Sequence, residues 1–198
     1  MKYPVLVASV IFIFACSEKK TVHTVSLPLK QDSAAAPAKY FPVMNFIKGQ
    51  IAYVDSLPVG IKKYIAGTKK GYVYIKPEEF HQLAEEFIPA EISDDLFTKE
   101  YQETSFLDQS SNSATFFYTT KNASLPVKRV DVLTMKGDVY DQVKSIYLQK
   151  NYRSGDTAFT KKLYWKPQRS FQIITEASAG SKKPVTKIVN VVWDNRED

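Results

Sequence analysis

The clearest structural signal of the chain lies in three consecutive segments: AFTKKLYWK at residues 158–166, PQR at residues 167–169 and SFQIITE at residues 170–176. Phe159, Leu163 and Trp165 alternate with mostly polar neighbours, and so do Phe171 and Ile173. This period of two is typical of a β-strand that buries one face. Three residues are too few for a crossover helix, so the two strands must be antiparallel neighbours.

The same alternation continues through the C-terminal half of the chain, with short loops rich in turn residues between the segments. Six segments are predicted to be strands: 114–120, 127–135, 143–152, 158–166, 170–176 and 186–194. Together they predict a meandering antiparallel sheet of about six strands. Trp165 and Trp193 are in phase with apolar residues two positions away, so both are predicted to lie on the core side.

The N-terminal half has a helical period instead. One apolar stripe recurs at steps of three and four residues from Phe41 to Val54. A second helix opens at Pro77, and a third, shorter one runs from Ser93 to about Glu103. A hairpin is predicted between the first two helices, at residues 61–66 and 72–75. We therefore expect residues 39–198 to form a single α+β domain, in which the N-terminal helices pack on one face of the sheet.

The N-terminus has the composition of a secretory signal. One basic residue, Lys2, precedes an apolar run from Val5 to Phe14, and the small residue Ala15 comes before the only cysteine, Cys16. The stretch is too short to span a membrane, which requires roughly 20 apolar residues.

Ile13-Phe14-Ala15-Cys16 resembles the lipobox of bacterial lipoproteins. The resemblance implies that residues 1–15 are a lipoprotein signal peptide and that Cys16 becomes the acylated N-terminus, carrying a diacylglyceryl thioether and an acyl chain such as palmitate. Residues 16–38 are then a flexible tether, because their charged, small and Pro-broken composition buries little apolar area. The implied location is the bacterial cell envelope, with the lipid anchor in the outer membrane and the domain on its periplasmic or surface face.

The charge balance argues against a nucleic-acid partner. The chain has 27 basic and 21 acidic residues, a formal net charge of +6. Its lysine pairs are scattered over apparent turns and strand ends, whereas a nucleic-acid protein concentrates basic residues on one face. We expect these pairs to be solvated, as we do the acid pairs Glu78-Glu79, Glu85-Glu86 and Asp94-Asp95.

Motifs for chemistry are absent from the sequence. It has two histidines, His23 and His81, and no histidine pair, cysteine pair or calcium-loop pattern that would predict a metal site. It has no Gly-rich phosphate loop and no G-x-S-x-G nucleophile motif. The sequence therefore predicts no catalytic residue, no metal ligand and no cofactor.

Tyrosines on the predicted strands are the candidate binding residues. Alternation can place Tyr72, Tyr74, Tyr147, Tyr152 and Tyr164 on the face opposite the core. Exposed tyrosines are common at binding surfaces, although cross-strand pairing alone also explains tyrosine in strands. The leading expectation is a non-catalytic domain that binds an envelope protein, a peptide or a glycan. The alternatives are a hydrolase with dispersed carboxylates that converge in a cleft, and a carrier that encloses a lipid-like ligand in an apolar cavity.

Lipidation at Cys16 is directly testable. In a bacterial host, globomycin should cause the unprocessed precursor to accumulate, because signal peptidase II cuts before the lipidated cysteine. The Cys16→Ala variant should not incorporate labelled palmitate. Normal labelling of that variant would contradict the lipobox interpretation.

Overall fold

The computed structural model describes residues 40–65, 71–136, 142–180 and 183–194. All of them belong to one compact unit, Ala38–Asp198. The predicted signal peptide, Cys16 and the tether at residues 16–38 lie outside the described residues. None of the described helices is both long and apolar enough to cross a membrane.

The described strands form one antiparallel sheet, in the order β2-β1-β9-β8-β7-β6-β5-β4-β3. Strands β3 to β9 make an uninterrupted meander, and the β1–β2 hairpin extends the sheet beyond β9. The strands are β1 (Ile61–Ile65), β2 (Val73–Ile75), β3 (Gln102–Asp108), β4 (Ser113–Thr119), β5 (Val127–Met135), β6 (Gln142–Ser154), β7 (Thr157–Lys166), β8 (Ser170–Ala179) and β9 (Val185–Val192).

The predicted α+β class with a sheet of about six strands is wrong. The described residues form a single nine-stranded antiparallel sheet accompanied by a few short helices. Part of the difference comes from the hairpin at residues 61–75, which was not assigned to the main sheet. Its strand β1 pairs with β9, for example at Tyr64 and Asn190, so the hairpin extends the sheet beyond β9.

Strand β3 accounts for the rest of the difference. The sequence predicts its first two residues at the end of a helix, but Gln102–Asp108 pairs along its whole length with β4. Six of its seven residues are exposed, including Phe106 and Leu107. A strand with neither face buried shows no alternation of apolar and polar residues, so the period-of-two signal was missing.

Within the described residues, three short α-helices precede the meander: α1 (Val43–Asp55), α2 (Pro77–Ala84) and α3 (Asp94–Glu100). Pro77 occupies the first turn of α2, where a missing N–H costs nothing, and Glu78 and Glu79 lie at the positive end of the helix dipole. A 3₁₀ turn, Glu85–Phe87, continues α2. Helix α3 starts after Ser93, whose side chain makes no capping hydrogen bond.

These elements pack on one face of the sheet, which we call the covered face. Phe80 of α2 contacts Phe171 of β8, and Phe87 of the 3₁₀ turn contacts Trp165 of β7. Phe97 of α3 contacts Tyr118 of β4. Helix α1 contributes Val43, Ile47 and Val54 to the same core, and its Gln50 Oε1 accepts a 2.8 Å hydrogen bond from the backbone N–H of Gln168 in the β7–β8 turn.

The predicted burial of the two tryptophans is confirmed. Trp165 has no solvent exposure and Trp193 is 5% exposed, and their rings lie 5.6 Å apart within an aromatic cluster. No nitrogen or oxygen partner reaches either indole Nε1–H within the described structure. The two indoles therefore stabilise the fold by packing rather than by hydrogen bonding.

Ion pairs also join the helical layer to the covered face. The carboxylate of Glu86 accepts hydrogen bonds from Lys150 of β6, at 3.0 Å, and from Lys161 of β7. Lys63 of β1 pairs with Glu79 of α2. The expectation that the acid and lysine pairs are solvated is wrong for Lys63, Lys161 and Glu86, whose side chains are 17%, 17% and 28% exposed. The alternation of each strand turns Lys63, Lys150 and Lys161 toward the helices, because they are in phase with the core residues of their strands.

We predict a large loss of stability when the central tryptophan is truncated. Trp165→Ala should lower the free energy of unfolding by about 3–5 kcal/mol, because it removes a fully buried ring and leaves a cavity. Urea denaturation of the full chain measures this change. Phe106→Ala, at a site that is 61% exposed, is the matched control and should change stability little. Similar effects for the two variants would contradict the assigned core.

The Glu86 ion pair predicts a dependence of stability on pH. Burial raises the pKa of Glu86, but the hydrogen bonds from Lys161 and Lys150 outweigh burial and hold this pKa below its usual value of 4.5. A carboxyl whose pKa is lowered by folding contributes stability above its unfolded pKa and loses it as pH falls through the folded pKa. Glu86→Gln should therefore cost about 1–2 kcal/mol at neutral pH.

That cost should shrink once the pH falls below about 4.5. Urea midpoints measured across acid and neutral pH test this point. Glu85→Gln is the control, because Glu85 is exposed beside Glu86 and makes neither lysine contact. A cost for Glu86→Gln that is independent of pH would mean that the ion pair does not stabilise the fold.

Candidate functional site

The second face of the sheet, which we call the open face, carries a row of side chains that are aligned across adjacent strands. Cross-strand pairing joins Tyr64 of β1 to Asn190 of β9, Asn190 to Gln172 of β8, Gln172 to Tyr164 of β7, and Tyr164 to Tyr147 of β6. Residues paired directly across antiparallel strands point to the same side of the sheet. We call these five residues the tyrosine–amide row.

The row follows from the local alternation of each strand. Tyr164 lies between the buried residues Leu163 and Trp165, and Gln172 lies between the buried residues Phe171 and Ile173. Because successive side chains of a strand point to opposite faces, burial of these neighbours turns the row outward. Tyr164 is accordingly 42% exposed.

Two further tyrosines extend the row at the β2 edge. The ring of Tyr72 lies 5.4 Å from that of Tyr64 and 5.5 Å from that of Tyr74. The ammonium of Lys62 lies over the Tyr72 ring at 5.0 Å, a cation–π contact. Tyr72 is 44% exposed and Tyr74 is 65% exposed. Three adjoining rings therefore stand on the open face at this end of the sheet.

The two amide side chains meet at the centre of the row. Nε2 of Gln172 donates a 2.7 Å hydrogen bond to Oδ1 of Asn190. Each amide carries one oxygen acceptor and two N–H donors. In the described part of the chain, the oxygen of Gln172 and the nitrogen of Asn190 keep free hydrogen-bonding capacity.

A cleft of about 510 Å³ lies over this pair. Its walls include Tyr64 and Tyr164, and its other lining residues include Gln172, Asn190 and Ser170. Tyr64 and Tyr164 are three strands apart, a distance of ~14 Å along the sheet. The cleft thus has an amide floor between two phenol rings, and it opens to solvent.

Four charged groups near the row form two ion pairs. Lys162 donates a 2.9 Å hydrogen bond to Glu176, and this bond raises the pKa of Lys162. Arg129 donates a 2.6 Å hydrogen bond to Asp131, which raises the pKa of Arg129. Burial raises the pKa of the Tyr147 phenol, so this side chain stays neutral at physiological pH. The row itself carries no charge.

The structure brings the sequence-predicted tyrosines together in two groups. Tyr147 and Tyr164 pair directly across β6 and β7, whereas Tyr72 and Tyr74 stand at the β2 edge. Their role in binding stays a prediction. The placement of Tyr152 on the open face is wrong: it lies in phase with the core residues of β6 and stacks on Phe159 at 5.1 Å. Cys16 lies outside the described residues.

Sequence reasoning missed Tyr64, Gln172 and Asn190. The alternation that put Phe171 and Ile173 on one side already implied that Gln172 points to the other. What the sequence lacked was the register between β1, β9 and β8, which sets these three residues level with the predicted tyrosines.

Two acidic residues of the described chain, Glu86 and Asp108, lack the raised pKa that the hydrolase alternative requires of its acid. A glycosidase needs two carboxyls across a cleft, one with a raised pKa. Glu86 is tied to two lysines, and its pKa is lowered. Hydrogen bonds from Ser110 and Ser111 lower the pKa of Asp108 to about 2. Among the described residues, no cluster of three or more His, Cys, Asp or Glu side chains could hold a metal ion.

Two other depressions are less suited to a ligand. One of about 630 Å³ lies between α1 and the β7–β8 turn, and its basic residues Lys166 and Arg169 already interact with other groups. Another of about 520 Å³ lies beside the β6–β7 hairpin, where Lys128 donates a 2.8 Å hydrogen bond to the carbonyl of Ala123. Lys128, Lys166 and Arg169 are thus engaged within the protein.

Comparison with known protein families, with curated protein sequences and with solved structures finds no match for this chain. The chemistry of the site therefore rests on its own residues.

Proposed function

We propose that this chain is an envelope lipoprotein, held in the membrane through Cys16, whose sheet domain binds an envelope partner without catalysis. The observation that carries the proposal is the tyrosine–amide row, which stands level on a sheet face that none of the described helices covers. The lipobox-like sequence supports the anchor, and the open face supports the binding role.

The residue types of the row suit binding. A tyrosine ring contributes a large contact area at a small cost in conformational entropy, and its hydroxyl adds a hydrogen bond. The row is held by a rigid sheet rather than by loops, so little ordering has to occur when a partner binds. The row also contains no carboxylate, histidine, serine or cysteine side chain, the groups most often used for catalysis.

Packing between the helices and the sheet disfavours the carrier alternative. A carrier of a lipid-like ligand needs an apolar cavity within the domain. The space between the two layers is filled instead by fully buried side chains, including Trp165, Phe80, Phe87 and Phe171. The open face is therefore the better candidate for a ligand.

The binding role predicts a loss of partner without a loss of fold. The double variant Tyr147→Ala, Tyr164→Ala should keep a cooperative melting transition and the core fluorescence of Trp165. It should no longer retain its partner when the full-length protein is captured from solubilised envelopes, because two rings of the row are gone. Capture is quantified by mass spectrometry against the wild-type protein.

Tyr53→Ala is the matched control for this experiment. Tyr53 lies on α1, on the helical side of the domain, and is 36% exposed. Its truncation should leave capture unchanged. The proposal fails if the double variant keeps its partner. It also fails if the purified protein turns over an envelope substrate and loses that turnover with a single Asp or Glu substitution.

A further inference from the structure

We infer that the tyrosine–amide row binds an uncharged glycan chain, which lies across the strands of the sheet. The inference rests on the proposed function, because it names the ligand of the same open face. The occupant is taken to be a neutral glycan of the envelope, where the proposed anchor would hold the domain.

The charge of the site selects a neutral ligand. The tyrosine–amide row contains three phenols and two amides, and it has no Lys, Arg, Asp or Glu side chain. Four neighbouring charged groups form the ion pairs Lys162–Glu176 and Arg129–Asp131, and the ammonium of Lys62 lies over the Tyr72 ring. An anionic glycan, a phosphate group or an acidic peptide would lose solvation here, and it would gain an opposite charge only by drawing a cation away from one of these contacts.

The hydrogen-bonding pattern at the centre of the row suits a hydroxyl group. The bond between Gln172 and Asn190 leaves the oxygen of Gln172 as an acceptor beside three N–H donors, one on Gln172 and two on Asn190. A sugar hydroxyl both donates and accepts, so one hydroxyl or an adjacent pair can bond to both the oxygen and an N–H group. A carboxylate or phosphate oxygen only accepts, so it can pair with the N–H groups but not with the Gln172 oxygen.

The tyrosine rings provide the apolar contacts to the sugar rings. The C–H face of a pyranose ring packs against an aromatic ring, and Tyr64 and Tyr164 stand at the two ends of the amide pair. Such a contact buries apolar surface, and it costs little conformational entropy because the sheet already holds the tyrosine rings in place. The cleft of about 510 Å³ is large enough for one or more sugar rings.

The spacing of the row explains why the ligand is a polymer. Adjacent strands lie roughly 4.8 Å apart, which is close to the length of one sugar unit in an extended glycan. The row has one side chain on each of five adjacent strands, from β1 to β6 through β9, β8 and β7. A chain that crosses the strands can therefore meet successive row residues with successive sugars.

Isothermal titration calorimetry on the lipidated full-length protein tests the inference. The protein is held in a detergent without a sugar headgroup. The probes are the neutral hexasaccharides of glucose, mannose and N-acetylglucosamine, with hexagalacturonate as an anionic probe of equal length and an uncharged extended peptide as a third class. At least one neutral hexasaccharide should bind, and it should bind more tightly than hexagalacturonate and the peptide.

Gln172→Leu keeps the volume of the side chain but removes its hydrogen bonds. It should weaken binding of the neutral hexasaccharide about tenfold, the effect of losing one well-placed polar contact. Gln102→Leu is the matched control, because Gln102 is exposed on the same face but lies on the edge strand β3. Its affinity should equal that of the wild-type protein.

A readout on the wild-type protein covers the case in which Gln172→Leu fails to fold. The side-chain amide resonances of Gln172 and Asn190 should shift when the neutral hexasaccharide is added. The inference is overturned if no neutral hexasaccharide binds, if hexagalacturonate or the peptide binds more tightly, or if these resonances do not move. If the Tyr147→Ala, Tyr164→Ala variant loses its envelope partner while no hexasaccharide binds, the proposed function stands and the glycan inference alone fails.

Discussion

The structure depends on one constraint of chain topology. Strands β2 and β3 are consecutive along the chain but occupy opposite edges of the nine-stranded sheet. Residues 76–101 must therefore travel roughly 38 Å across the sheet, a distance of eight strand spacings. This single crossing carries α2, the 3₁₀ turn and α3 over the same face. One face receives a helical cover, and the described helices leave the other exposed.

Packing fixes which face is covered. The crossing is held by aromatic contacts such as Phe87 with Trp165, and by the ion pair of Glu86 with Lys150 and Lys161. A large apolar area on this side offsets the entropy of ordering the crossing segment. Because successive side chains of a strand point to opposite faces, the residues between the buried ones then point to the open face. The tyrosine–amide row is the consequence, because the core residues that fix the fold also fix the direction of the row.

The sequence predicted the parts of this structure that local periodicity controls. The alternation around Leu163 and Trp165 identified the meander and its buried face correctly. The nine-stranded extent of the sheet escaped prediction, because the β1–β9 pairing is a contact between distant parts of the chain and the exposed strand β3 has no apolar pattern. The candidate site was found in part for the same reason. Alternation within each strand predicts that Tyr147 and Tyr164 point outward. The alignment of Gln172 and Asn190 with these tyrosines depends on the register between strands, which the sequence pattern does not contain.

The central claim is that the protein meets its partner through the open face. Tyrosine modification of intact envelopes, compared with the purified full-length protein, measures this directly by mass spectrometry of individual peptides. The account predicts that Tyr64 and Tyr164 react less in the envelope than in the purified protein, while Tyr53 on the helical side reacts equally in both. Protection of Tyr53 with unchanged reactivity of Tyr64 and Tyr164 would contradict it, because the partner would then cover the helices.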